Sequence, residues 1–135
     1  MDKKIKEKIV NLAENKDYIL AVYLFGSYAR DKAKPGSDID IAILLEKDKN
    51  QKSSELKIEI YEELIKNGLD NIDLVILNQA SALLTYEVVK ENKLLYKKDK
   101  FQAASYQSLM IRKYLDFEYY LKKNQDKFKE RILNG

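Results

Sequence analysis

Gly26-Ser27 and Asp38-Ile-Asp40, with ten residues between the two motifs, are the residues in this chain best suited to chemistry. A small-residue turn exposes backbone N–H groups to an anion, so Gly26, Ser27 and the amides beside them suit the β- and γ-phosphates of a nucleoside triphosphate. Asp38 and Asp40 are i and i+2 on a strand pattern, which points both carboxylates to one face. Two such charges raise each other's pKa unless a cation lies between them. Mg²⁺ resolves that conflict, because it takes one or two protein carboxylates and completes its shell with phosphate oxygens and water. A third carboxylate, Asp73, opens the run Ile-Asp-Leu-Val-Ile-Leu. Three acids can hold two metals, one activating an attacking oxygen and one steadying the triphosphate. Arg30 could reach a phosphate or pair with an Asp. No Gly-Lys-Ser/Thr follows the turn, so this is not a Walker-type P-loop.

Each feature alone is ordinary. Asp often starts a strand as a turn former, and Gly-Ser after a strand is usually only a turn. Their order, spacing and flanking strands, with a third acid on the next strand, make the combination informative.

Composition narrows the chemistry. The chain has 135 residues, neither histidine nor cysteine, and a net charge of +3. Missing histidine removes the commonest general base and every Ser-His or Cys-His arrangement. Missing cysteine removes disulfides and thiolate metal sites. Carboxylates must therefore carry any acid–base or metal work. With 45% apolar and 35% charged residues the balance is that of a folded domain. Lys and Glu are interspersed, without the concentrated basic stripe of a nucleic-acid binder, so no direct nucleic-acid binding is expected. No signal-peptide core or membrane-length apolar run is visible, and a cytoplasmic location without membrane contact is the expectation.

The surrounding elements must position these groups. Residues 2–15 carry Ile5, Ile9, Leu12 and Ala13 at helical spacing. Tyr18–Phe25 reads as a buried strand, residues 26–37 as turn-rich loop without a convincing helix, and Asp38–Glu46 as a second strand whose Ile39, Ile41, Ile43 and Leu45 face the core. Ser53 or Ser54 should cap a helix bearing Leu56, Ile60 and Leu64, with Gly68 as its C′ residue. Ile72–Leu77 is a third strand, residues 80–91 a helix, Leu94–Tyr96 a short edge strand, and Phe101–Leu133 a long helix. A full helix between strands two and three implies a parallel crossover, and the short link between strands one and two implies antiparallel pairing. The expected fold is α/β (α+β): a small mixed sheet flanked by helices, in one domain over 1–135, with a core of 1–98 and a helical extension of 99–135. On the last helix Tyr106, Met110, Tyr114, Phe117, Leu121, Phe128 and Ile132 share a stripe, expected for the most part to pack on the core, with some left for a partner; Tyr119 and Tyr120 are also candidates for an interface.

These motifs resemble the DNA polymerase β-like nucleotidyltransferase superfamily, whose signature is a Gly-Ser pair, a spacer and Asp-x-Asp, followed by a third acid. Gly-Ser-Tyr-Ala-Arg, Ser-Asp-Ile-Asp-Ile-Ala-Ile-Leu, Asp-Leu-Val-Ile-Leu-Asn, Leu83–Tyr96 and Tyr114–Asp116 are further similar to the minimal nucleotidyltransferases, antitoxins of HEPN–MNT toxin–antitoxin pairs. One departure is Asp31, where the family often has Gly. The resemblance implies a nucleotidyltransferase fold and an enzyme that uses Mg²⁺ and ATP to transfer AMP onto a tyrosine hydroxyl of a cognate HEPN RNase toxin, its partner in a hetero-oligomer, releasing pyrophosphate. It places Asp38, Asp40 and Asp73 as catalytic metal ligands, with Asp73 beside the attacking hydroxyl, and Gly26 and Ser27 at the triphosphate. Two alternatives stand beside it: an antitoxin that neutralises by occlusion without catalysis, and a small-molecule nucleotidyltransferase.

Overall fold

The computed structural model describes residues 1–134; the side chains of Phe128 and Asn134 lie outside that description. A four-stranded mixed sheet, in the order β3-β2-β1-β4, forms the centre. Its strands are β1 (Ile19–Phe25), β2 (Ile39–Leu45), β3 (Ile72–Ile76) and β4 (Lys93–Lys97). β2 pairs antiparallel with β1 and parallel with β3, as the lengths of the links require, and β4 closes the far edge against β1.

Helices cover both faces. On one side α1 (Lys3–Glu14) and α3 (Ser53–Lys66) bury Ile9, Leu12, Ile60 and Leu64 against Ile39, Ile41, Ile43, Ile72 and Leu74. On the other, α4 (Ala82–Glu91) and the start of α5 (Ala103–Asn134) cover Ala21, Tyr23, Ala42 and Leu44. β2 is thus apolar on both faces, and Asp40 is the one acid within it. Such a strand reads as a near-continuous apolar run because both of its faces are covered.

Three local expectations change. Residues 26–29 form a short helix, α2 (Gly26–Ala29), where only loop was expected. Ser53 does not cap α3: a 3₁₀ segment (Lys47–Lys52) runs straight into the helix, and the buried Ser53 hydroxyl instead donates to the Asn50 carbonyl at 2.8 Å. Gly68, by contrast, is the C′ residue of α3 at φ +81°, with Leu69 N–H donating to Leu64 and Gly68 N–H to Ile65, the paired bonds of a Schellman ending.

The third change concerns α5, which at 32 residues is about 48 Å long. Its stripe packs as expected through Tyr106, Met110 and Tyr114: Gln107 Nε2 donates to the Val89 carbonyl, and the Tyr114 ring stacks on Tyr86 with centroids 4.2 Å apart. Beyond Tyr114 the sheet is too small to reach, and Phe117, Leu121 and Ile132 are 45%, 44% and 64% exposed. Tyr119 and Tyr120 are exposed as well. Phe128, expected on the same stripe, lies outside the described side chains.

Candidate active site

The sheet lines up the site by register. Phe25 on β1 opposes Asp40 on β2, and Asp40 is the direct partner of Asp73 on β3. Residues opposite one another in paired strands project to the same face, so Phe25, Asp40 and Asp73 form a row across three strands about 4.8 Å apart. The face is the one that α4 covers further along. Asp38 stands one residue before β2 begins and is exposed, as is Asp73, whereas Asp40 is half-buried.

Electrostatics single out Asp40. Its carboxyl is pushed above the usual carboxylate range, first by burial and then by the negative charges of Asp73 and Asp38, with Arg30 offsetting part of the rise. A carboxylate held at a cost beside two others is a ready partner for a divalent cation. Among the described residues no group of three acidic side chains forms a closed metal cage. Asp40 and Asp73 are the pair brought together, and Asp38 acts on Asp40 through its charge.

The turn at Gly26 is built by backbone. β1 ends at Phe25 in extended conformation, Gly26 takes φ +71°, and α2 starts there. Without a side chain, Gly26 lets the chain pass directly against the Asp40 carboxylate. The turn and the acid are therefore in contact, although thirteen positions separate them along the chain. α2 stops with Asp31 at φ +55°: Lys32 N–H donates to the Ser27 carbonyl at 2.8 Å and Asp31 N–H to Tyr28 at 3.4 Å. This is again the Schellman pattern, and its left-handed C′ position favours Gly. Asp31, where the resemblance leads one to expect Gly, thus takes the conformation that Gly would adopt.

Of the two roles open to Arg30, no ion pair with an Asp forms among the described residues. Its Nε donates to the Gly26 carbonyl at 3.3 Å, which folds the guanidinium back along the turn. Arg30 also lines a cavity of about 310 Å³ with Phe25, Gly26, Glu87 and Glu91. The two glutamates come from α4, some sixty positions away, and no spacing in the sequence signals that they belong beside the turn.

The chain is similar to known proteins over most of its length. Residues 7–101 match the family described as polymerase beta, nucleotidyltransferase. A protein adenylyltransferase MntA of Aphanizomenon flos-aquae is 31% identical over 110 residues, covering 73% of each chain. A crystal structure of a toxin–antitoxin with AMP-PNP superposes with a TM-score of 0.65 at 25% identity, over 95% of this chain and 98% of that one. The fold is shared too with a complex of MNT antitoxin and the tri-AMPylated HEPN toxin of Shewanella oneidensis (TM-score 0.61, 24% identity, 98% and 99% covered).

Proposed function

We propose that this chain, which belongs to the polymerase β nucleotidyltransferase family and within it to the MntA-type protein adenylyltransferases, is the antitoxin enzyme of a toxin–antitoxin pair. Its reaction is transfer of AMP from ATP to a tyrosine hydroxyl of a cognate HEPN toxin, in the cytoplasm where ATP and the toxin meet. The observation that carries this reading is the row of Asp40 and Asp73 set against the Gly26 turn.

In the reaction the phenolic oxygen forms a bond to the α-phosphorus of ATP. The bond from that phosphorus to the oxygen bridging to the β-phosphate breaks, and pyrophosphate leaves. The amides at Gly26 and Ser27 hold the β- and γ-phosphates and so steady the leaving group. Arg30, unpaired with any acid among the described residues, adds positive charge on that side. A carboxylate oxygen of Asp73 accepts the phenolic proton, the role open to a carboxylate in a chain without histidine.

The acidic set fits Mg²⁺, since Asp40 is held in the strained electrostatic state that a divalent ion relieves. Asp40 and Asp73 with Asp38 would hold it, and Mg²⁺ supplies charge neutralisation of the triphosphate and activation of the attacking oxygen. Phosphoryl-type transfer asks for little else from the protein than positioning and charge.

The test is transfer of label from α-³²P-ATP to the toxin encoded beside this chain, with and without Mg²⁺. Label on the toxin that is lost in Asp40→Asn and Asp73→Asn is the expected result. An unlabelled toxin, with Asp40→Asn still protecting cells in full, would replace catalysis by occlusion.

A further inference from the structure

α4 ends on Glu91, with Glu87 one turn before it, and both line the cavity of about 310 Å³ that Phe25, Gly26 and Arg30 close from the other side. A carboxylate in the last turn of a helix is locally unfavourable, because the free carbonyls there already carry about half a negative charge. Lys90, the one basic residue of that turn, does not answer it. Its Nζ lies 3.2 Å from Glu87 and 5.4 Å from the centre of the Tyr86 ring, and among the described residues it is not part of the cavity wall. Glu91 is half-buried and forms no ion pair among the described residues. A residue placed against its local preference, beside a site, asks for a reason in the site.

The other wall supplies it. Gly26, Ser27 and Arg30 are the groups assigned above to the β- and γ-phosphates, so the end of α4 confronts the leaving pyrophosphate across the cavity. Amides and a guanidinium that hold the tail of ATP would hold the product just as firmly, and binding both equally gives no turnover. Pyrophosphate also departs with more negative charge than it had within ATP, since its bridging oxygen becomes terminal. Repulsion from the carboxylates and the helix end therefore grows as the bond breaks.

We propose that Glu91, supported by Glu87, weakens the hold of the site on pyrophosphate and so promotes its release. This rests on the AMP-transfer reading above and adds to it the fate of the leaving group. Weak retention also protects the modified acceptor. In the reverse reaction a pyrophosphate oxygen attacks the phosphorus of the tyrosine–AMP ester, the bond to the phenolic oxygen breaks, and that oxygen regains its proton from Asp73, giving back ATP and free tyrosine. Arg30 pulls against the same carboxylates, which lets the tail of ATP bind while its cleaved form does not stay.

The test uses the full chain with its intact toxin and reads inhibition of AMP transfer by added Mg-pyrophosphate. In Glu91→Gln the inhibition constant should fall about fivefold, with unchanged or slightly raised thermal stability. Glu91→Asp, which keeps the charge, should stay within about twofold of wild type, and about 0.5 M KCl should shrink the effect of Glu91→Gln to a similar level. An unchanged inhibition constant in folded Glu91→Gln would overturn the proposal. Weaker binding of pyrophosphate or ATP in that variant would overturn it too, by making Glu91 a ligand of the nucleotide. Calorimetric titration of Mg-pyrophosphate onto the chain reads the same shift without the toxin. A toxin left unlabelled beside a shifted affinity would thus sink AMP transfer to that acceptor, whereas a labelled toxin beside an unshifted affinity would sink only the role of Glu91.

Discussion

Gly26 and Asp40 occupy one another's space so closely that a Cβ on Gly26 would overlap the Asp40 carboxylate. The contact joins the end of β1 to the start of β2 and sets the Gly26 turn against the central acid. Gly26→Ala meets two obstacles, since φ +71° is also unfavourable for a residue with a Cβ. The variant should lose about 1–3 kcal/mol of stability by chemical denaturation. Its AMP transfer should fall further than the lost stability explains, because Asp40 must move aside.

Asp40→Asn should separate stability from activity. A carboxyl whose folded pKa is raised binds more protons in the folded than in the unfolded state just above its ordinary value of 3.8. Stability of the metal-free protein then declines as pH rises through that interval. Removing the charge abolishes the decline, and the variant should be more stable to unfolding than the wild type at neutral pH. Millimolar Mg²⁺ should raise the melting temperature of the wild type and leave that of Asp40→Asn unchanged. A metal-independent melting temperature in the wild type would remove Mg²⁺ from the site.

Asp73 is more exposed than Asp40 and farther from the Gly26 turn, so its loss should fall on chemistry. Asp73→Asn is expected to reduce AMP transfer by roughly 10²–10⁴, the range for a lost general base. ATP affinity, measured by equilibrium titration, should change far less than the rate.

Asp31 sits in the left-handed conformation that ends α2, where Gly is free of the side-chain penalty. Asp31→Gly should therefore leave transfer intact and alter stability by less than about 1 kcal/mol, favourably if relief of φ +55° outweighs the added freedom of the unfolded chain. A large loss of activity would mean that the Asp31 carboxylate itself takes part.

The chemistry of this protein is legible in one dimension because its parts are local. Gly26-Ser27 ends an apolar run, Asp38-Ile-Asp40 begins the next, and Asp73 opens a third; strand periodicity and link lengths alone order them as β1, β2 and β3 with the pairing observed. Gly68 as a helix ending follows from the same local rules. The α2 turn was less legible, because four residues are too few to show a helical period. The extent of packing along α5 was hidden for another reason: its stripe continues past the end of the sheet, and periodicity does not say where the partner surface stops. Which acids meet is likewise a matter of register: Asp40 faces Asp73 while Asp38 remains outside the strand, although the sequence presents Asp38 and Asp40 as equals. Residue types and spacing thus determined that carboxylates and a small-residue turn would share one sheet edge. Tertiary packing alone decided that Gly26 abuts Asp40 and that Glu87 and Glu91 flank the turn, because both depend on how separate elements settle around a common core.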